Sequence, residues 1–247
     1  MAMKFSPSAG YRRLDSWVLA SVVQLGTYRF CKKYLTREFD PTGRQYDQMT
    51  QAARSGKVNI VEGSARSATS KETEMKLTDV ARASLAELHS DYEDWILLHG
   101  QAPWAKSSTE AQAVYETRLD KPDYGADFVR DSCLHLLEQQ QKFSRWLDSE
   151  DSLIVANAML ILIGRVINML LRQLEAQGGQ FAETGGFREQ LTTIRTNAIV
   201  EKEAGPVCPM CGKSMRRRSA RTGAKAGKPF WGCTGYPDCT GAREIAP

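Results

Sequence analysis

Four cysteines constrain this chain more than any other feature. Cys208, Cys211, Cys233 and Cys239 fall as C-x2-C, a 21-residue gap and C-x5-C, with Pro209 and Gly212 around the first pair. A segment of about 40 residues cannot bury enough apolar surface to fold alone, whereas four thiolates on one tetrahedral Zn²⁺ supply the missing free energy. Two disulfides are the competing use of such cysteines. Met1–Arg13 is polar, with no apolar stretch ahead of a small-residue cleavage site, so no signal peptide and a cytoplasmic location are expected, and in that setting closely spaced pairs favour metal. Four protein ligands leave the ion no open position, which makes its expected role structural.

Between the cysteine pairs lie Arg216, Arg217, Arg218, Arg221, Lys225 and Lys228, then Phe230 and Trp231, with Tyr236 inside the second pair. Cations interleaved with aromatics suit a phosphate backbone whose bases stack on exposed rings. One of Phe230 and Trp231 is expected to be buried as the ribbon's small core. Cys208-Pro-Met-Cys211-Gly followed by Phe230-Trp-Gly-Cys233-Thr-Gly-Tyr-Pro-Asp-Cys239 resembles the C-terminal zinc-finger repeats of type IA bacterial DNA topoisomerases. That resemblance implies single-stranded DNA binding. It covers the tail alone, so the catalytic activity is not carried over with it.

Charge is distributed unevenly. Met1–Lys76 carries 13 basic and 7 acidic residues, Leu77–Ala204 12 and 20, and Gly205–Pro247 8 and 2. Both ends are basic and the middle is acidic, a pattern that suits polyanion contact by the ends.

The rest of the chain reads as helices. Over Tyr11–Leu35 the apolar residues Leu14, Val18, Leu25 and Tyr28 recur at helical spacing, widened by Trp17 and Val22, and Asp40, Pro41 and Gly43 make the following turn. A second helix is expected over Arg44–Ser64, with small inward residues at Ala53, Gly56 and Gly63 beside Met49 and Ile60, letting a neighbouring helix approach closely. Capping signals at Ser70 with Glu74, or Thr69 with Glu72, open a third, striped by Leu77, Ala81, Ser84, Leu88, Tyr92, Trp95 and Leu98 and ending near Gly100. A long connection over Gln101–Tyr124 holds one short helix around Glu110–Thr117. Phe128–Leu147 reads as helical through Leu134, Leu137, Phe143 and Trp146, and Ser152–Gln177 as strongly apolar. Leu153–Leu171 has the length of a membrane span, but Asn157, Gly164, Arg165 and Asn168 interrupt it, which fits a central bundle helix or a subunit contact. Gly178, Gly179, Gly185 and Gly186 then break the chain, with a weakly periodic helix over Phe187–Glu203. Residues 1–204 thus form an all-α body, most simply a bundle, and 205–247 a C4 zinc ribbon.

Leu14–Tyr28, then Val58-Asn-Ile-Val-Glu62-Gly63-Ser-Ala-Arg66 ahead of Ala83-Ser-Leu-Ala-Glu87-Leu88, resembles the four-helix bundle proteins encoded in intervening sequences of bacterial 23S rRNA genes, a family similar to the accessory variability protein of diversity-generating retroelements. The resemblance implies an antiparallel four-helix bundle, here with extra helices, a ring-shaped homopentamer, and a basic surface that holds RNA or DNA beside a reverse transcriptase. The insertion at Gln101–Leu147 and the tail depart from that pattern. Asn59-x-x-Glu62-Gly63 serves either buried helix contacts or a ligand. Arg12, Arg13, Arg29, Lys32, Lys33, Arg44, Arg54 and Lys57 are the body's candidates for phosphate contact.

No catalytic constellation emerges. His89, His99 and His135 lack metal-ligand or triad spacing. Gly223–Lys228 is one residue short of a phosphate loop and has Pro229 where Ser or Thr belongs. Asp91, Glu93 and Asp94 point different ways along a helix, against a Mg²⁺ nuclease, and Cys31 and Cys133 are expected to be buried thiols. The expected function is a non-enzymatic, oligomeric accessory protein that binds single-stranded DNA or structured RNA. A scaffold whose ribbon docks on a partner enzyme is the alternative.

Overall fold

The structure, a computed structural model, describes residues 10–67, 69–184, 192, 194–196, 205–220 and 226–245. It divides into two compact units, 1–186 and 187–247. Residues 197–204, beside the expected boundary, lie outside the described residues, as do Gly185, Gly186 and most of the helix expected over Phe187–Glu203.

The first unit is helical. A 3-10 turn (Gly10–Arg13) leads into α1 (Asp15–Tyr34), α2 (Arg44–Arg66) and α3 (Lys71–Leu98). Then come the shorter α4 (Thr109–Glu116), α5 (Phe128–Gln141) and α6 (Ser144–Leu147), and finally α7 (Ser152–Thr184). Gly43 takes a φ of 72°, open to a residue without a Cβ, and Asp40 Oδ2 accepts from the Tyr46 N–H to start α2. Ser70 caps α3 by accepting from the Thr73 N–H at 3.2 Å.

Contacts along the long helices fix their directions. Gln45 bonds Asp91, Ser55 meets Ser84 and Gly63 lies against Glu74, so α2 and α3 run antiparallel. Trp95 Nε1 donates to Ser152 Oγ at one end, and Gln177 Nε2 to Glu74 Oε1 at the other, so α3 and α7 do likewise. The α1 helix packs on both α2 and α7. A continuous core joins Leu19, Phe30, Leu85, Leu88, Tyr92, Met159, Leu162 and Ile163.

The small residues of α2 have a packing explanation. A Cβ built on Gly56 would lie 2.7 Å from Leu85 Cγ, and one on Gly63 would lie 3.4 Å from Glu74 O and Leu77 Cβ. Leu85 therefore occupies the space that a side chain at 56 would need.

Three expectations change. Leu25 is exposed, while Ser16–Gln24 is buried without a gap, because α1 is covered by α2, α5 and α7. In α5, Leu134 and Leu137 face outward at 42% and 59% exposure, whereas Ser132, His135, Gln139 and Gln140 are buried. Part of that polar face meets remote partners, since Arg12 donates to Ser132 and Gln139 bonds the Asp120 N–H and carboxylate, while the buried His135 Nε2 has no hydrogen-bond partner among the described residues. The α7 helix also runs through Gly178 and Gly179 to Thr184, since the buried Gln177–Glu74 bond holds its last turns against α3.

By length and composition α7 is one helix apolar enough to cross a membrane, and 56% of its apolar window is buried within the fold. Its polar interruptions seat the 101–127 connection. Asn157 accepts the Trp104 N–H at 2.7 Å and donates to Leu153 O, and Arg165 donates to Val114 O at 3.1 Å.

The second unit contains a three-stranded antiparallel sheet, β1 (Met215–Ser219), β2 (Pro229–Cys233) and β3 (Ala242–Glu244), in that order. Met215 pairs with Cys233, Arg217 with Trp231 and Arg218 with Phe230, while Trp231 pairs with Arg243 and Gly232 with Ala242. Its small core is Cys208, Met215 and Cys233, with Trp231 and Cys239 packed against them.

Gly56→Ala should test the helix contact. The substitution gains up to about 1 kcal/mol of helix propensity, but crowding Leu85 should cost about 1–3 kcal/mol. The expected net result is a lower urea midpoint with an unchanged m-value, read by circular dichroism.

Candidate functional site

The Sγ atoms of Cys208, Cys211, Cys233 and Cys239 all lie within 4.8 Å of one another, close enough to hold one metal ion. The Cys208–Cys239 pair is 3.7 Å apart and the Cys211–Cys233 pair 3.4 Å. A disulfide needs about 2.05 Å, whereas tetrahedral thiolates about 2.3 Å from a Zn²⁺ lie about 3.8 Å apart. The spacing fits a shared cation and not two bridges.

Two backbone knuckles set that geometry. In the first, Gly212, at a φ of 73°, donates to Cys208 O, and Cys208 N–H donates to Lys213 O. In the second, Cys233 N–H donates to Gly241 O and Cys239 N–H to Gly235 O. Thr234 ties the knuckles together, since both its N–H and its hydroxyl donate to Ser214 O, at 3.1 and 2.8 Å.

The sulfurs respond unequally to being crowded. N–H groups of Met210 and Cys211 hold Cys208 down to about 7. The Gly235 N–H, 3.3 Å from the sulfur of Cys233, pulls that thiol the same way, yet burial and the neighbouring thiols push it up to about 12. Cys239 is raised too, despite the Gly241 N–H, chiefly by Cys211 and burial. Cys208 ionises readily while Cys233 and Cys239 resist, and a shared cation would favour the thiolate form of the ligands.

Sequence reasoning missed Gly241. A Cβ there would collide with Cys208 Sγ, so the position must be glycine for the knuckle to close on the sulfur. The signal was present as a repeat: Cys233-Thr-Gly235 and Cys239-Thr-Gly241 each place a glycine N–H two residues after a ligand.

Strand alternation sorts the tail's cations and rings. Met215, Arg217, Trp231 and Cys233 share one face; Arg216, Arg218, Phe230 and Gly232 share the other. Phe230 and Trp231 are both half-buried. Trp231 packs on the cysteine core, where a Cβ on Gly205 would strike its ring. On the opposite face Phe230, Gly232, Arg218, Ala242 and Tyr236 line an open cleft of about 870 Å³. Tyr236 is 62% exposed, and the Arg218 guanidinium lies 5.7 Å from its ring centroid. The stem of Arg218 crosses Gly232, whose missing Cβ would be 3.0 Å from Arg218 Cδ. Arg216, Arg217 and Lys228 are exposed, and Arg221 and Lys225 lie outside the described residues.

The basic residues of the first unit divide. Arg29 pairs with Asp148, and Lys33 with Glu150. Arg12 bonds Ser132 and stacks near Tyr11 and Trp17, while Arg13 lies over Tyr124 and Phe128. Lys32, Arg44 and Arg54 are exposed. Lys57 is half-buried and its amine is depressed, first by burial, then by Arg12, with Arg54 adding to it. Asn59 bonds Ser55 in its own helix, Gly63 is a packing residue, and Glu62 is exposed. Cys31 is buried, whereas Cys133, expected inside, is exposed because α5 turns its polar face to the core.

The chain matches no family model, no curated protein and no solved structure with which it was compared. The likenesses of the tail and the body therefore rest on their motifs.

Gly241→Ala should weaken metal binding by roughly 10- to 100-fold, the scale typical of disturbed ligand surroundings, measured by competition with a chromophoric chelator. The helical circular dichroism signal should be unchanged.

Proposed function

We propose that this is a non-enzymatic accessory protein that binds single-stranded nucleic acid through a C-terminal zinc ribbon. The observation that carries the reading is the open cleft lined by Arg218, Phe230 and Tyr236, with Arg216 on the same strand face, where Gly232 lets the Arg218 stem and the Phe230 ring lie close against the strand. Unstacked bases fit between such rings and phosphates beside the arginines, and every base offers a π-face, so recognition is tolerant of sequence. Zn²⁺ is the ion that suits four thiolates and a closed, structural site.

The helical unit, in this reading, is an antiparallel four-helix bundle of α1, α2, α3 and α7. Its neighbour contacts close a ring, α1 with α2, α2 with α3, α3 with α7 and α7 with α1, which supports that arrangement. By its motif likeness it assembles as a cytoplasmic homo-oligomer, a pentamer in that family, and serves a retroelement reverse transcriptase. Exposed cations such as Arg44 and Arg54 add phosphate contacts, and several copies would multiply a weak single-ribbon affinity.

Filter binding of single-stranded DNA and RNA oligonucleotides against salt tests the proposal. Phe230→Ala and Tyr236→Ala should each cost about 1–3 kcal/mol of binding. Arg218→Gln should flatten the log–log salt slope by roughly 0.7. Retained binding in the Phe230→Ala/Tyr236→Ala double variant, with metal content intact, would overturn it.

A further inference from the structure

Two adjacent residues of α7 carry costs that the packing of the fold offsets only in part. Gly164 lies mid-helix, where glycine is destabilising by up to about 1 kcal/mol relative to alanine. At Gly56 and Gly26 a neighbour accounts for the missing side chain: Leu85 fills the space at Gly56, and Met159 Sδ would lie 3.1 Å from a Cβ at Gly26, whereas Gly179 near the end of α7 has open space as Gly164 does. At Gly164 nothing lies within 4 Å of the position a Cβ would take. The neighbouring Arg165 is half-buried, and burial depresses its guanidinium. Among the described residues it has no carboxylate partner, making one bond to Val114 O and lying 5.8 Å from the Phe143 ring.

Both residues face the same feature. A groove of about 680 Å³ runs between α3, α4, α7 and the 101–108 connection, lined by Trp104, Tyr115, Ile161, Gly164, Arg165 and Asn168 among others. Its volume is in the range of small-molecule sites, with mostly apolar walls and a few convergent polar groups. The acids at its edge are otherwise placed: Glu93 lies 3.5 Å from His89 in the next turn of its own helix, and Glu116 is exposed. Among the described residues the Arg165 guanidinium in this groove thus has no ion-pair partner, beside open space at Gly164.

We infer that this groove binds a small amphipathic organic anion, a flat apolar body carrying a carboxylate, sulfonate or phosphate. The apolar body lies over Gly164 between Trp104, Ile161 and Tyr115, and the anionic group takes the N–H donors of Arg165 left over from the Val114 bond, with Asn168 one turn further along. A planar guanidinium suits a two-oxygen anion. The site is in the helical unit and does not depend on how the ribbon is used.

The test uses the full metal-loaded chain with two fluorescent probes, the anionic 8-anilinonaphthalene-1-sulfonate and its uncharged relative N-phenyl-1-naphthylamine. Saturable binding of one anionic probe per chain is expected. Gly164→Leu should fill the groove and abolish that binding while melting no lower than the parent chain. Arg165→Met should weaken the anion by about tenfold or more, the scale of a charge-assisted hydrogen bond, and leave the neutral probe nearly unchanged. Binding that survives Gly164→Leu, or equal losses for both probes in Arg165→Met, would overturn the inference. So would a fall in molecular mass of Gly164→Leu on sedimentation, which would make the groove a contact between copies of the chain.

Discussion

Four thiol sulfurs lie within 4.8 Å of one another in the second unit, close enough to hold one cation, and as anions without one they would repel. The core of Cys208, Met215 and Cys233 is too small to hold three short strands together unaided. Once the sulfurs share an ion, each knuckle becomes a fixed corner, and Thr234 bonded to Ser214 sets one against the other. The β2 strand ends at Cys233, and its pairing with β1 and β3 sends Phe230 and Trp231 to opposite faces. Trp231 turns to the cysteine cluster and Phe230 to the open cleft. A shallow sheet thereby acquires two chemically different faces from one strand.

The helical unit is held by a more ordinary interaction, burial of α7 against α1 and α3, but its polar residues give it definition. Asn157 and Arg165 could not sit in an apolar helix unless something met their hydrogen-bonding groups. The 101–127 connection does so through Trp104 N–H and Val114 O. The same logic is inverted on α5, where polar side chains go inward and leucines outward, because Arg12, Asp120 and their neighbours offer partners that the leucines lack.

The cysteine spacing, the close-packing glycines of α2 and the α3 stripe from Ala81 to Trp95 were legible because each depends on residues near in sequence, whereas Leu98, expected in that stripe, is exposed at the end of the helix. Met49, Ala53, Gly56, Ile60 and Gly63 are all buried, as helical spacing requires. The α5 orientation was not legible, since periodicity counts apolar residues and cannot see that Ser132 and Gln139 have partners up to 120 residues away. The passage of α7 through Gly178 and Gly179 escaped for a related reason: local propensity says stop, and a buried bond to Glu74 on another helix says continue. At the metal site the ligands could be read directly, whereas Gly241 could not, because its constraint is a collision with a sulfur 33 positions earlier.

The outer position of β1 in the sheet leaves its outer edge, beyond Met215 whose N–H donates to Pro206 O, without a neighbouring strand among the described residues, a common starting point for runaway strand association. Three successive arginines, Arg216, Arg217 and Arg218, occupy that rim. Like charges laid rim to rim repel, so this strand discourages joining with its own twin in a neighbouring molecule. The side chains best suited to attract a polyanion thus also serve solubility, and a neutral replacement there carries an aggregation risk separate from any loss of binding.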